Sequence, residues 1–220
     1  MSYDFNFRTV LAQYPEILMG AWVTLALTCL SLGLGFLLSV VVAYGRTSAL
    51  KPVRYASASY VEIFRNTPML VQLFFFYFGL AALGLRMTPL TGALLVITLN
   101  VGAYATEIVR AGIEATPRGH VEAGFSLGMG RLQVFRYVML KPALQRIYPA
   151  LTGQFIMVML GTSVASQIGA DELTSIGNFI QSRSFRSLEV FLVIGAIYLV
   201  LAVGLRKAFD IIGARYVTNR

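Results

Sequence analysis

The chain has 220 residues, of which 57% are hydrophobic and only 13% are charged, and its mean hydropathy is +0.71. A soluble domain carries about 25% charged residues and could not bury this much apolar surface, so the composition excludes a soluble fold, disorder and a disulfide scaffold. The net charge of +8 could indicate nucleic acid binding. The charges flank apolar runs, however, which indicates membrane orientation and no nucleic acid partner.

Long runs without Asp, Glu, Lys or Arg identify the membrane spans. A helix that crosses the hydrocarbon core of ~30 Å needs about 20 residues. The runs are continuous rather than alternating, so they predict helices and not barrel strands. Thr67-Pro68 and Thr88-Pro89 are typical helix starts. The last span is long enough only if Glu189, Arg206 and Lys207 at its ends reach the interface. We predict an all-α integral membrane protein whose five transmembrane helices occupy residues 17–45, 66–85, 87–106, 147–170 and 190–206.

The positions of lysine and arginine predict how these spans are oriented. With loops assigned alternately to two faces, fourteen basic residues fall on the face that holds 46–65, 107–146 and the C-terminal tail, and four fall on the other. Because cytoplasmic loops carry the basic excess, we expect the N-terminus outside and the C-terminus in the cytoplasm. Residues 1–16 lack a cleavable signal pattern. The chain 1–220 is predicted to be a single membrane domain.

The loop 107–146 is the longest connection, and a loop of this length is typically functional. Thr116-Pro117 indicates a helix start and Gly128 a stop. Between them Val121 and Phe125 share a face. A second apolar and basic stretch, 132–140, is expected to end at Pro142. Two short cytoplasmic helices suit docking into a groove of another protein; the alternative is an element that lies on lipid headgroups.

Three sequence blocks add a family resemblance. Glu122-Ala123-Gly124, followed by Gly128 and Val138-x-Leu140, resembles the EAA loop of ABC-importer permeases. The blocks YVEIFRNTP (60–68) and TEIVRAGI (106–113) resemble signatures of the polar amino-acid uptake branch (histidine, glutamate, glutamine, arginine and opine type). The resemblance covers roughly residues 15–210. It departs from the family pattern at Gly124, which replaces an alanine, at Lys141, which replaces a proline, and at Leu160-Gly161, where many relatives carry Lys-Asp.

The resemblance implies half of a translocation pathway in a bacterial inner (plasma) membrane. Two permease subunits, identical or sister chains, would pair, and each would dock onto a dimer of cytoplasmic ATPase subunits that binds ATP and Mg. An external solute-binding protein would deliver a polar amino acid. No lysine of this chain follows a glycine, so it lacks a Walker A loop and is neither the ATP-hydrolysing enzyme nor the holder of a cofactor. The expected coupling residues are Val121, Glu122, Ala123, Gly124, Phe125 and Gly128.

Polar residues inside the spans are candidates for the substrate pathway, because such groups usually face the bundle interior or a pathway. Asn100 and Tyr104 share a helix face with Glu107. The alternative for these residues is a hydrogen bond that is satisfied inside the bundle. The serine and threonine candidates of the fourth span can instead bond to their own helix backbone. The candidate pathway residues are Asn100, Tyr104, Gln154, Thr162, Ser163 and Ser166.

Small residues recur every four positions in the first span, at Ser31, Gly35, Ser39 and Ala43. Such a stripe allows close helix approach, either within the subunit or at a dimer seam. Asp171 and Glu172 are expected to form a solvated helix end or a contact with the binding protein. His120 has no nearby histidine or cysteine, so we expect no metal site.

Two other classes of function remain as alternatives. A self-contained channel or secondary carrier for small polar solutes would be indicated by internal repeats, broken helices or a membrane-buried coupling charge. A membrane enzyme would need a nucleophile, base or metal constellation, and a single histidine leaves little from which to build one. The leading hypothesis is the permease subunit of an ATP-driven amino-acid importer.

Overall fold

The computed structural model describes residues 4–46, 48–114, 116–130 and 133–217, and this part of the chain is helical without a β-strand. It confirms the all-α prediction for these residues. Short π-helices lie at Val134–Leu140 and Gly213–Val217, and a 3₁₀ helix lies at Thr162–Ile168. The α-helices are α1 (Arg8–Leu11), α2 (Tyr14–Arg46), α3 (Lys51–Asn66), α4 (Met69–Ala82), α5 (Pro89–Glu114), α6 (Arg118–Ser126), α7 (Lys141–Gly161), α8 (Leu173–Ser184) and α9 (Ser187–Ile212).

Among the described residues, four helical stretches are long and apolar enough to cross a membrane. They coincide with the predicted spans 17–45, 87–106, 147–170 and 190–206. The predicted start of the second of them is confirmed, because Thr88 Oγ1 accepts a hydrogen bond from the Thr91 N–H at 3.2 Å. The four stretches are Tyr14–Arg46, Pro89–Gly112, Gln145–Ile168 and Ser187–Arg215.

The predicted span 66–85 contains a shorter helix than expected. α4 has 14 residues, which at 1.5 Å per residue gives about 21 Å, less than the ~30 Å of a hydrocarbon core. It ends in a Schellman motif: Gly84 has φ +87°, and the Leu85 N–H donates to Leu80 O at 2.9 Å. Before it lies α3, a helix in residues that were assigned to a loop.

One hydrophobic cluster joins α2, α4, α5, α7 and the 3₁₀ helix, with α5 at its centre. Val96 and Val101 of α5 are fully buried in it. α2 packs closely along α5: a Cβ added to Gly35 would lie only 2.5 Å from Val101 Cγ1, so the absence of a side chain at Gly35 permits this approach. α5 is therefore the central helix of the bundle, and the candidate site is described by its position along α5.

A second hydrophobic cluster lies at the opposite end of the bundle from α6, where α1, α8 and the start of α9 cover the N-terminal turns of α2. α8 was not predicted. Its apolar residues Leu173, Ile176 and Ile180 follow helical spacing, and Leu173 and Ile180 are fully buried. A Cβ on Gly20 of α2 would lie 2.8 Å from Ile176 Cγ1, so α8 also depends on close packing with α2.

Two glutamates, Glu172 at the N-cap of α8 and Glu189 in the first turn of α9, are expected at surfaces but are fully buried. Glu172 caps α8 by accepting the Ser175 N–H at 2.8 Å, and it accepts the Tyr198 hydroxyl at 2.7 Å. The pKa of the Glu172 carboxyl is raised above its ordinary value, because the effect of burial outweighs the lowering by the hydrogen bond from Tyr198. Glu189 accepts the Asn6 N–H at 3.1 Å. The prediction of a solvated Glu172 is wrong, because neighbouring elements supply its hydrogen bonds. The position of Glu189 at the membrane interface stays a prediction.

Candidate functional site

The predicted coupling helix is present as α6. Pro117 occupies its N-cap position and Leu127 its C-cap. Gly128 has φ +77°, a left-handed conformation that glycine adopts without steric cost. The helix closes with the Met129 N–H donating to Gly124 O at 3.1 Å. The start at Thr116-Pro117 and the stop at Gly128 are thus confirmed.

The faces of α6 differ from a simple amphipathic pattern. Glu122 and Ala123 are exposed, Val121 is half-buried, and Phe125 is 48% exposed. Gly124 is the buried residue of this helix, and a Cβ there would lie 3.1 Å from Val134 Cγ2. The departure at the third EAA position therefore permits close packing of α6 on the π-helix, and it leaves Phe125 available at the surface.

The expected second short helix does not end at Pro142. Residues Val134–Leu140 form a π-helix that runs directly into α7, and Pro142 is the second residue of α7. A proline is tolerated in the first turn of an α-helix, because its missing N–H would have no helical partner there. The prediction treated Pro142 as a stop signal, and it is wrong on this point. Leu132, the expected start, lies outside the described residues.

A break in helical structure lies half-way along the bundle. α3 ends at Asn66 and α4 begins at Met69, and we call Thr67 and Pro68 the α3–α4 break. Asn100 lies beside it, eleven residues after the start of α5 and ten before Arg110. The Asn100 Nδ2 amide donates to Phe64 O at 3.5 Å and to Gln72 Oε1 at 3.2 Å. The α3–α4 break therefore lies beside the centre of α5, a helix that is long enough to span a membrane.

Polar side chains next to the α3–α4 break are exposed. Glu62, Asn66 and Thr67 are exposed, and Asn66 Nδ2 donates to Glu62 Oε2 at 2.9 Å. Backbone that is not helical is tolerated at membrane depth only where it is buried in protein or lines a water-filled cavity. If the break lies at membrane depth, this rule favours a pathway or a subunit contact beside the exposed polar group.

A second irregularity contacts the first. α7 changes into the 3₁₀ helix after Gly161, and a Cβ on Gly161 would lie 3.3 Å from Met69 Cε, at the start of α4. A 3₁₀ stretch that continues an α-helix often marks a hinge. Two departures from regular helix thus meet at one level of the bundle.

The predicted pathway residues of the fourth span lie in or near this segment. Thr162, Ser163 and Ser166 each donate a hydrogen bond of 2.7 Å to a carbonyl three residues earlier. Thr162 is fully buried, whereas Ser163 and Ser166 are half-buried. Gln154 is also half-buried, on α7. Their role in the pathway stays a prediction.

Tyr104 and Glu107 extend the site toward the α6 end of the bundle. The Arg65 guanidinium lies 5.6 Å from the centre of the Tyr104 ring and 4.0 Å from Glu107 Oε2. Glu107 Oε2 also accepts from Arg46 Nη1 at 2.8 Å, and Oε1 is bonded by Arg110. Glu107 thus joins the ends of α2 and α3 to α5. The sequence showed its helix face but not these partners.

The small-residue stripe of α2 faces α5 of the same chain. Ser31 and Ser39 are buried, and Ala43 is half-buried. The Thr106 hydroxyl of α5 is 3.3 Å from Ser39 O. Together with the contact of Gly35 on Val101, these distances place the stripe inside the subunit.

Comparison with known proteins identifies the class to which this arrangement belongs. The family model described as "Binding-protein-dependent transport system inner membrane component" matches residues 35–217. The chain belongs to this family. It is therefore a membrane component of a transport system, and it is placed in an inner membrane.

Relatives of this permease agree with that assignment. The glutamine transport system permease protein GlnP of Escherichia coli (strain K12) is 34% identical over 202 residues, covering 91% of this chain and 92% of the relative. The L-cystine transport system permease protein TcyB of Bacillus subtilis (strain 168) is 36% identical, covering 80% and 76%. A solved structure, an amino acid ABC transporter with histidines, matches with a TM-score of 0.90 at 34% identity and covers 97% of this permease and 100% of that chain.

Proposed function

We propose that this permease forms half of the translocation pathway of an ATP-driven importer for polar amino acids. The observation that carries this proposal is the geometry of α6, and family membership supports a docking role for it. Phe125 is 48% and Leu127 82% exposed beside the exposed Glu122. A groove in an ATPase subunit would accept the apolar side chains, and the charge would fix orientation. ATP and Mg would bind to that ATPase, and an external binding protein would deliver the substrate.

The proposed topology has five spans within a single domain, 1–220. α4 is too short to cross alone, so α3 and α4 together form the second span, with the α3–α4 break at its centre. This arrangement keeps the N-terminus outside and the C-terminus in the cytoplasm. With the basic residues of α3 left out, Arg46, the loop 107–146 and the tail still hold eleven lysines and arginines, against four on the other face. A broken helix is also typical of secondary carriers, but the family match favours import that depends on a binding protein.

Reversal of the charge at Glu122 is expected to abolish co-purification of the ATPase with tagged permease. Glu122 is exposed, so Glu122→Arg should leave the fold intact while it places a wrong charge in the docking surface. The matched control is Glu16→Arg, the same change at an exposed position on α2. The measurement is the amount of ATPase eluted with each variant in mild detergent. Retention of the ATPase by both Glu122→Arg and Phe125→Asp would contradict the docking role of α6.

We place the substrate pathway beside the α3–α4 break. A zwitterionic amino acid needs an acceptor for its ammonium group and donors for its carboxylate. The exposed Glu62 carboxylate supplies the acceptor, and the N–H groups in the first turn of α4 point toward the break. Ser163 and Ser166 are nearby hydroxyl candidates, whereas Asn100 and Thr162 are buried and bonded within the chain.

Neutralisation of Glu62 is expected to weaken substrate recognition. Loss of a charge-assisted hydrogen bond costs about 1.5–3 kcal/mol, or roughly a 10- to 100-fold rise in KM. The measurement is uptake of L-glutamine, L-arginine and L-histidine by the reconstituted transporter with Glu62→Gln, and Glu16→Gln is the control. An analogue that carries a hydroxyl in place of the ammonium should not distinguish the variant from the parent. An unchanged KM for all three amino acids would place the ammonium elsewhere.

A further inference from the structure

The α3–α4 break leaves a specific backbone group without its helical partner. In an α-helix, the carbonyl of residue 64 would accept the N–H of residue 68. Residue 68 is proline, which has no N–H. Phe64 is buried at 7% exposure, so its carbonyl needs another donor inside the bundle. The neighbouring Ile63 carbonyl is satisfied locally, by the Thr67 hydroxyl at 2.7 Å.

Two buried amide side chains supply the missing donors. Gln72 Nε2 lies 2.9 Å from Phe64 O, 3.0 Å from Thr67 O and 2.7 Å from Thr67 Oγ1. Asn100 Nδ2 donates to Phe64 O and to Gln72 Oε1. The pair therefore ties both sides of the break to each other and to α5.

The same bonds leave these amide nitrogens nothing to offer a ligand. Gln72 is 5% and Asn100 9% exposed. The two N–H bonds of the Asn100 amide are directed at Phe64 O and Gln72 Oε1, and those of Gln72 are shared among acceptors of the break. The amide nitrogens of both residues therefore act on transport through the backbone that they hold, which carries the exposed Glu62, Asn66 and Thr67.

We propose that Gln72 and Asn100 are positioning residues, which hold the α3–α4 break in the geometry that presents Glu62 and the first turn of α4 to an amino-acid substrate. This inference rests on the proposed pathway. It revises the expectation that Asn100 itself lines the pathway. A purely structural pair would protect the amount of folded protein, whereas a positioning pair also sets the affinity for the substrate.

The test restores the lost helical bond by a second substitution. Gln72→Leu removes the donors, and Pro68→Ala supplies an N–H at residue 68 that can satisfy the Phe64 carbonyl. The reconstituted transporter is assayed with whichever of L-glutamine, L-arginine and L-histidine the parent takes up with the lowest KM. For that amino acid, we expect Gln72→Leu to raise the KM at least tenfold. The double variant Pro68→Ala/Gln72→Leu should recover the yield of folded complex but keep the raised KM. Gln181→Leu, the same change on α8, should leave the KM unchanged.

Two outcomes would overturn this inference. The first is a Gln72→Leu transporter with the parent KM, and the second is a double variant that regains both the folded yield and the parent KM. A parent complex that takes up none of the three amino acids would instead contradict the proposed substrate class. Failure of the positioning role and failure of the proposed function are therefore distinguishable.

Asn100→Leu tests the second amide of the pair in the same uptake assay. A KM raised as in Gln72→Leu supports the pairing of the two amides.

Discussion

Replacement of Glu107 by glutamine is expected to destabilise the permease strongly, because this carboxylate holds three arginines together. The Glu107 side chain is 19% exposed and accepts hydrogen bonds from Arg46 and Arg110, with Arg65 at 4.0 Å. Glutamine would remove the counter-ion that Arg46, Arg65 and Arg110 share, although Arg110 would keep its pair with Glu114. Removal of one partner from a buried ion pair costs about 3–5 kcal/mol, and the partial exposure of this one reduces the figure to ~2–3 kcal/mol. The measurement is the thermal midpoint of the purified protein in detergent.

Glu114→Gln is the matched control for this prediction. Glu114 also pairs with Arg110, at 2.5 Å, but its side chain is 63% exposed. An exposed pair contributes about 0–1 kcal/mol, so the thermal midpoint should move little. Equal shifts for Glu107→Gln and Glu114→Gln would contradict the central role of Glu107, because they would show that burial and the additional arginines contribute nothing.

Gly35→Leu is expected to prevent folding of the transmembrane bundle. A Cβ at Gly35 would lie 2.5 Å from Val101 Cγ1 and 3.1 Å from Thr98 O, and a leucine would force α2 away from α5. Overpacking of a well-packed core typically costs about 1–3 kcal/mol, and contact with backbone on a long interface places this case at the upper end. The measurement is the yield of monodisperse protein after membrane extraction.

Gly33→Leu tests whether the effect of the Gly35 substitution comes from packing. Gly33 lies two residues away on the same helix, and a Cβ there would meet nothing within 4 Å. The same substitution at Gly33 should therefore preserve the folded yield. A comparable loss at both positions would mean that helix propensity or membrane insertion, rather than close packing on α5, controls the result. A normal yield for Gly35→Leu would show that the stripe does not face α5.

The features that the sequence predicts well are those with a local physical cause. Charge-free runs locate the long helices because a charge inside the bilayer is costly. Thr88-Pro89 and Gly128 mark helix ends because capping and left-handed backbone depend on neighbouring residues. The resemblance of the EAA segment likewise identified α6 from residues that are close in sequence.

The features that the sequence missed depend on contacts between distant residues. Thr67-Pro68 predicts the start of α4 to within one residue, but not α3 before it, nor that Gln72, and Asn100 on another helix, satisfy the Phe64 carbonyl at the α3–α4 break. Glu172 reads as a surface residue until Thr24 and Tyr198 are placed beside it. Gly124 reads as a weakened helix position until Val134 is packed against it. In each case hydropathy describes the residue, whereas the partner determines its role.

The direct junction of the π-helix with α7 has a mechanical consequence. No flexible linker separates Val134 from Gly161 in the described chain, and α7 alone has 21 residues, or a length of about 31 Å. α6 is seated on the near end of this rod through Gly124, and the far end contacts Met69 at the α3–α4 break. Pro149 lies inside α7 and removes one N–H from its hydrogen-bond ladder, so this rod has two places that can bend, at Pro149 and at the 3₁₀ helix beyond Gly161. A displacement of α6 would be divided between these two points before it reached the α3–α4 break.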